Sequence, residues 1–171
     1  MKRSLIALGS VALCVGACAD PVSSDLVDGL GEEPSGIDTG PLHRPGQPCL
    51  PCHNGDGEGN LVFSMAGTVY KEPDSGDPLP NAIVHIADSA GNRYRTGTNC
   101  AGNFFVQADD FTPQYPAWAW IEFGGVLIAM NSPIFREGSC AGCHASDTSE
   151  VSAGRVYFSE VPLDYPATGC P

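Results

Sequence analysis

The sequence predicts a mainly β chain: a small antiparallel β-sandwich flanked by two loop segments that carry the same motif. Three observations predict it. Residues 61–131 hold six short strand-like runs separated by Gly and Asn turns, and no stretch among them reads as a helix. Cys49-Leu50-Pro51-Cys52-His53 precedes this block, and Cys140-Ala141-Gly142-Cys143-His144 follows it. The segment ahead of the first motif is rich in Gly, Pro and acid and has no hydrophobic period.

Taken in order, Lys2, Arg3 and the apolar run 5–15 read as an export signal over residues 1–17. The run is too short to span a membrane. It ends Val15-Gly16-Ala17-Cys18, which resembles the lipobox of bacterial lipoproteins and implies lipidation of Cys18. Simple secretory cleavage is the alternative. Ala19 rather than Asp follows the cysteine, and by the same resemblance this implies transport to the outer membrane. The expected place is the bacterial cell envelope: exported, lipid-anchored, and facing the periplasm or the surface. Residues 18–47, including Glu32-Glu33-Pro34-Ser35-Gly36, read as a flexible acidic tether. The full chain carries −12, and loss of the two positive charges Lys2 and Arg3 leaves −14. That balance argues against nucleic acid as a partner and suits solubility or basic partner proteins.

Residues 48–60 hold the first Cys-x-x-Cys-His, the attachment signature of c-type haem. Two thiols three positions apart each reach a haem vinyl group, and the following His is placed to bind iron as proximal ligand. Roughly 0.01 matches are expected by chance at this Cys and His content; there are two. Both segments are therefore expected to be haem-binding, through Cys49, Cys52 and His53 and through Cys140, Cys143 and His144. The rival readings are zinc and disulfide or dithiol chemistry. Zinc would not need a His after each pair. The loop Asn54-Gly55-Asp56-Gly57-Glu58-Gly59-Asn60 reads as a solvated turn; calcium is the alternative, without the full EF-hand ligand series.

In the sandwich, Phe63, Met65, Gly67 and Val69 alternate onto one face of a first strand ending near Tyr70. Further strands are expected over 82–88, 93–98, 104–107, 117–123 and 126–130, the last two joined by Gly124-Gly125. Residues 132–171 carry the second motif and a wrap-around tail with one expected strand, 155–158.

Ala66-Gly67-Thr68-Val69-Tyr70, then Pro78-Leu79-Pro80-Asn81-Ala82-Ile83-Val84, then Thr98-Asn99-Cys100-Ala101-Gly102-Asn103-Phe104 resemble the carboxypeptidase-regulatory-like domain. The resemblance covers roughly residues 61–130. It implies a transthyretin-like β-sandwich that binds or spaces and performs no catalysis. The whole arrangement resembles secreted di-haem c-type cytochromes in which such a sandwich stands between two haem motifs. Cys100 departs from the usual pattern of the family.

Cysteine bookkeeping leaves one pair. Cys14 lies in the removed segment, Cys18 would carry lipid, and four cysteines belong to the motifs. Cys100 and Cys170 remain, and in an oxidising compartment they are expected to form a disulfide.

The candidates for a second iron ligand are His43, His85, Met130 and Met65. His43 lies in a polar Pro/Gly loop beside the first motif, and Met130 precedes the second motif by ten residues. Met65 reads mainly as core, and His85 points outward from its strand. Trp118 and Trp120 share an outward face and either cover a haem or pack beneath a terminal segment.

The functional expectation is an exported, lipid-anchored di-haem cytochrome that carries out electron transfer with redox partner proteins, and is not an enzyme. No Ser-His-Asp or paired-carboxylate arrangement stands out. Only a five-coordinate haem would open peroxidase-like chemistry. The alternative is a surface lipoprotein binding carbohydrate or protein, its Cys-x-x-Cys motifs stabilised by zinc or disulfides.

Overall fold

The structure, a computed structural model, describes residues 21–33, 39–145, 148–149, 152–164 and 170. The expected signal segment and Cys18 lie outside the described residues. The chain is mainly β, with two antiparallel sheets and few helices. Strands β1 (Phe63–Thr68) and β4 (Asn103–Gln107) form one sheet. The other runs in the order β3 (Arg93–Gly97), β2 (Ile83–Ala87), β5 (Trp118–Phe123), β6 (Val126–Ala129). Each of the six falls within about two residues of its expected span. Two-residue strands β7 (Thr148–Ser149) and β8 (Ser152–Ala153) pair separately.

Both sheets line one core. Met65 and Val69 come from β1 and its continuation, Val84 and Ile86 from β2, Phe104 and Val106 from β4, and Ile121 from β5. Leu79 and Ala82 come from the loop ahead of β2, and Phe158 comes from the tail. The alternation of strand side chains is what selects them: Val84 and Ile86 are buried, and Ile83, His85 and Ala87 between them are only partly so. A side chain such as Ile86 or Leu79, 0% and 1% exposed, contributes about 1.5–3 kcal/mol by its burial.

A bulge at Ser64 corrects the expected face of β1. Phe63 pairs with Gln107, but Met65 pairs with Val106, so one extra residue stands between them. Met65 therefore enters the core, and Phe63 moves to the opposite face, stacked on Phe105 at 4.9 Å. The Ser64 hydroxyl fixes the bulge by donating to the Phe111 carbonyl at 2.5 Å.

The expected tether is also corrected. Its described part contains helix α1 (Pro21–Gly29). Proline opens it, where a missing N–H costs nothing, and Gly31 at φ 70 follows its end. Residues 39–47 are bonded to the sandwich. In the tail, the expected strand is reduced to a bridge of Tyr157 to Tyr70, with Tyr70 N–H donating to Val156 O at 2.9 Å.

Candidate functional site

The first motif folds as one helical turn, α2 (Leu50–His53), entered through Cys49. The His53 N–H donates to Cys49 O at 3.1 Å. Spacings of three and four residues put Cys49, Cys52 and His53 on the same side of that turn. His53 Nδ1 lies 2.8 Å from Leu61 O. A carbonyl can only accept, so Nδ1 carries the proton and Nε2 presents its lone pair. The other side of the ring is fixed by stacking on Phe63, centroids 4.3 Å apart and planes 18° from parallel.

The loop after His53 is mostly exposed, as expected of a solvated turn, and it also returns over the helix. Gly59 N–H donates to Cys52 O at 2.8 Å. A Cβ on Gly59 would fall 2.4 Å from His53 Nδ1, and one on Gly57 would fall 2.5 Å from the carbonyl oxygens of Pro51 and Cys52. The glycines let the chain close on the motif; their alternation was the available signal.

The second motif repeats the geometry. A 3-10 turn spans Cys140–Gly142, and His144 N–H donates to Cys140 O at 2.9 Å. His144 Nδ1 lies 2.9 Å from Gly154 O, so its Nε2 is likewise left as the acceptor. The approach to the turn lies along β1: Ser139 bridges Ala66 in parallel, and Ala66 N–H donates to Gly138 O at 2.9 Å. Close packing demands glycine twice. A Cβ at Gly138 would stand 1.9 Å from Ser64 O, and one at Gly67 would stand 2.7 Å from Cys140 Cβ.

Both motifs thus pack against β1. Burial pushes the Cys140 thiol up to about 12, with Cys49 and then Cys143 adding to the rise. Burial likewise pushes Cys49 up to about 11, with Cys52 adding. Cys49 and Cys140 therefore lie within electrostatic reach of each other although 91 positions separate them. All four motif thiols are free. Ser139, 3% exposed, leaves its buried hydroxyl without a partner next to Cys140.

His43 is held beside the first motif by the sandwich. Its ring centroid is 5.9 Å from that of His53, and its Nδ1 contacts Gly40 O. Buried Asn103 donates from Nδ2 to His43 O at 3.0 Å and to Pro41 O at 3.3 Å. Its Oδ1 accepts from Thr68 Oγ1 at 2.7 Å, and that oxygen accepts Gly46 N–H at 2.7 Å. Asn103 and Thr68 are thus site residues that sequence reading placed only in a strand and turn pattern.

Other candidates stand elsewhere. Met65 is core, 1% exposed. Met130 follows β6, half-buried, its N–H bonded to Ala119 O at 3.0 Å. His85 is not brought to either motif. It lies on the outward face of β2, in the sheet opposite β1, with Nε2 2.8 Å from Glu122 Oε2. Trp118 and Trp120 share that outward face, on the sheet opposite β1, against which both motifs pack. Cys100 and Cys170 are joined by a disulfide, Cα atoms 5.5 Å apart. Among the described residues, no three His, Cys, Asp or Glu side chains come together as a metal-binding group.

Comparison with protein-family models, with curated proteins and with solved structures returns no match.

Proposed function

We propose that this chain is an exported di-haem c-type cytochrome whose role is electron transfer. The observation that carries the reading is the repeated geometry of the two motifs. In each, a single turn carries Cys, Cys and His, and the His donates Nδ1–H to a backbone carbonyl, Leu61 O or Gly154 O. That bond sets the tautomer, aims Nε2 outward and makes it a better metal donor. The residues fit the group. Cys49, Cys52 and His53 would hold one haem, and Cys140, Cys143 and His144 the other.

Haem supplies reversible one-electron chemistry when bound. The chain's own residues do the rest. Phe63 and Phe105 form an apolar stack against His53 that fixes its ring. His43 stands across from His53 as the candidate second ligand. Their ring centroids are 5.9 Å apart, and His43 would supply a second nitrogen donor to the iron held by His53. Both motifs pack against β1, so groups held there would share that strand as their support, and an electron could pass between them inside one protein. The sandwich acts as the scaffold implied by its likeness to carboxypeptidase-regulatory-like domains. Cys18 would anchor the chain by lipid to the bacterial outer membrane.

The rival reading, a binding lipoprotein with zinc or disulfide motifs, has less support. A zinc site would not need a His after each Cys-x-x-Cys pair, whereas both motifs have one. The deciding experiment is a pyridine haemochrome spectrum with intact mass, on protein made with c-type haem maturation. Two haems surviving denaturation support the cytochrome; no covalent haem ends that reading.

A further inference from the structure

The outward face of the four-stranded sheet is unlike the rest of the molecule. Register places Arg95, His85 and Trp120 in one row across β3, β2 and β5, and Arg93 and Trp118 in the next row. The His85 and Trp120 rings are stacked, 5.3 Å apart and 1° from parallel, and Arg93 lies 5.9 Å over Trp120. Glu122 holds the far side of His85 through a hydrogen bond to its Nε2. Trp118, 43% exposed, keeps its ring open to solvent. Two arginines on one face are a marked concentration in a chain with 8 Lys and Arg against 20 Asp and Glu.

We propose that this face binds a glycan containing uronic acid residues. An exposed indole offers a flat apolar surface for the C–H face of a sugar ring. The exposed Arg95, and Arg93 beside it, offer planar guanidinium forks that match a carboxylate. His85, Trp120 and Glu122 are already locked to one another, so the site orders little on binding. Local arginines outweigh distant acids, because charges beyond about 10 Å are screened at moderate salt. An acidic peptide would satisfy the arginines but has no ring face to lay on Trp118. The inference is independent of haem, since both motifs pack on the opposite sheet.

The test titrates the purified full chain with trigalacturonic acid, cellotriose and hexaglutamate, read by calorimetry and tryptophan fluorescence. Saturable binding of trigalacturonic acid is expected, with cellotriose and hexaglutamate weaker by about tenfold or more. Trp118→Ala and Arg95→Gln, both at exposed positions, should each weaken it about tenfold with circular dichroism unchanged. No saturable binding at millimolar trigalacturonic acid overturns the proposal. So does hexaglutamate binding as tightly, or binding indifferent to both substitutions.

Discussion

The imidazoles of His43 and His53 lie side by side, 5.9 Å between centroids and 35° between planes. The loop that carries His43 is held by Asn103, whose amide reaches the Pro41 and His43 carbonyls and whose oxygen accepts from Thr68. Asn103→Ala leaves the buried Thr68 hydroxyl and the His43 carbonyl without this partner and should cost about 1–3 kcal/mol of stability. If His43 is the second ligand, the same change should turn the first haem from low-spin toward high-spin, and His43→Ala should do so completely. Electronic absorption and electron paramagnetic resonance read the outcome. A low-spin first haem in His43→Ala removes His43 from the site.

Gly59 touches the same imidazole from the other side. A methyl group there meets His53 Nδ1 at 2.4 Å and Cys52 O at 2.7 Å, neither at the end of a long flexible chain. Gly59→Ala should break the His53–Leu61 bond and lower haem loading at the first motif, leaving the second loaded. Peptide mass mapping separates the two. Equal loading at both motifs would show that the loop does not govern attachment.

The raised thiols make a pH prediction that depends on whether they are bonded. Folded values of about 11 for Cys49 and about 12 for Cys140 exceed the unfolded value of about 8.5. Between these the folded chain binds more protons than the unfolded chain. Stability from the neutral thiols is therefore full below about pH 8.5 and is lost as pH rises through 11 to 12. Haem-free protein should show this decline in urea melts. Protein whose thiols have become thioethers should lack that contribution, and identical profiles would argue against attachment at Cys49 and Cys140.

The Cys100–Cys170 bridge closes a separation of 70 residues. In the loop-entropy model it is worth about 4 kcal/mol. Cys170→Ser should lower the unfolding free energy by about that amount and leave the spectrum of the motifs unchanged. A loss below about 1 kcal/mol would mean that the unfolded chain is already compact there.

The strands were legible because period-two alternation is local: Val84 and Ile86 turn inward around His85 wherever the sheet lies. Phe63 was misread for the opposite reason. Nothing in Phe63-Ser64-Met65 announces a bulge, which depends on the pairing of β1 with β4. Residues 39–47 read as tether because their bonds go to Thr68 and Asn103, more than twenty positions away. The outward position of His85 was legible, but its engagement with Glu122 was not.

By itself the sequence determined the six strands, the composition of each motif and the cysteine arithmetic, because alternation and short spacings act within a few residues. Only the tertiary structure decided that both motifs pack against β1. Gly138 and Gly67 admit the second motif to β1, Asn103 draws in the His43 loop, and Cys49 comes within reach of Cys140. Close packing and buried hydrogen bonds between distant segments set those relations, and they exist only once the sheets have formed.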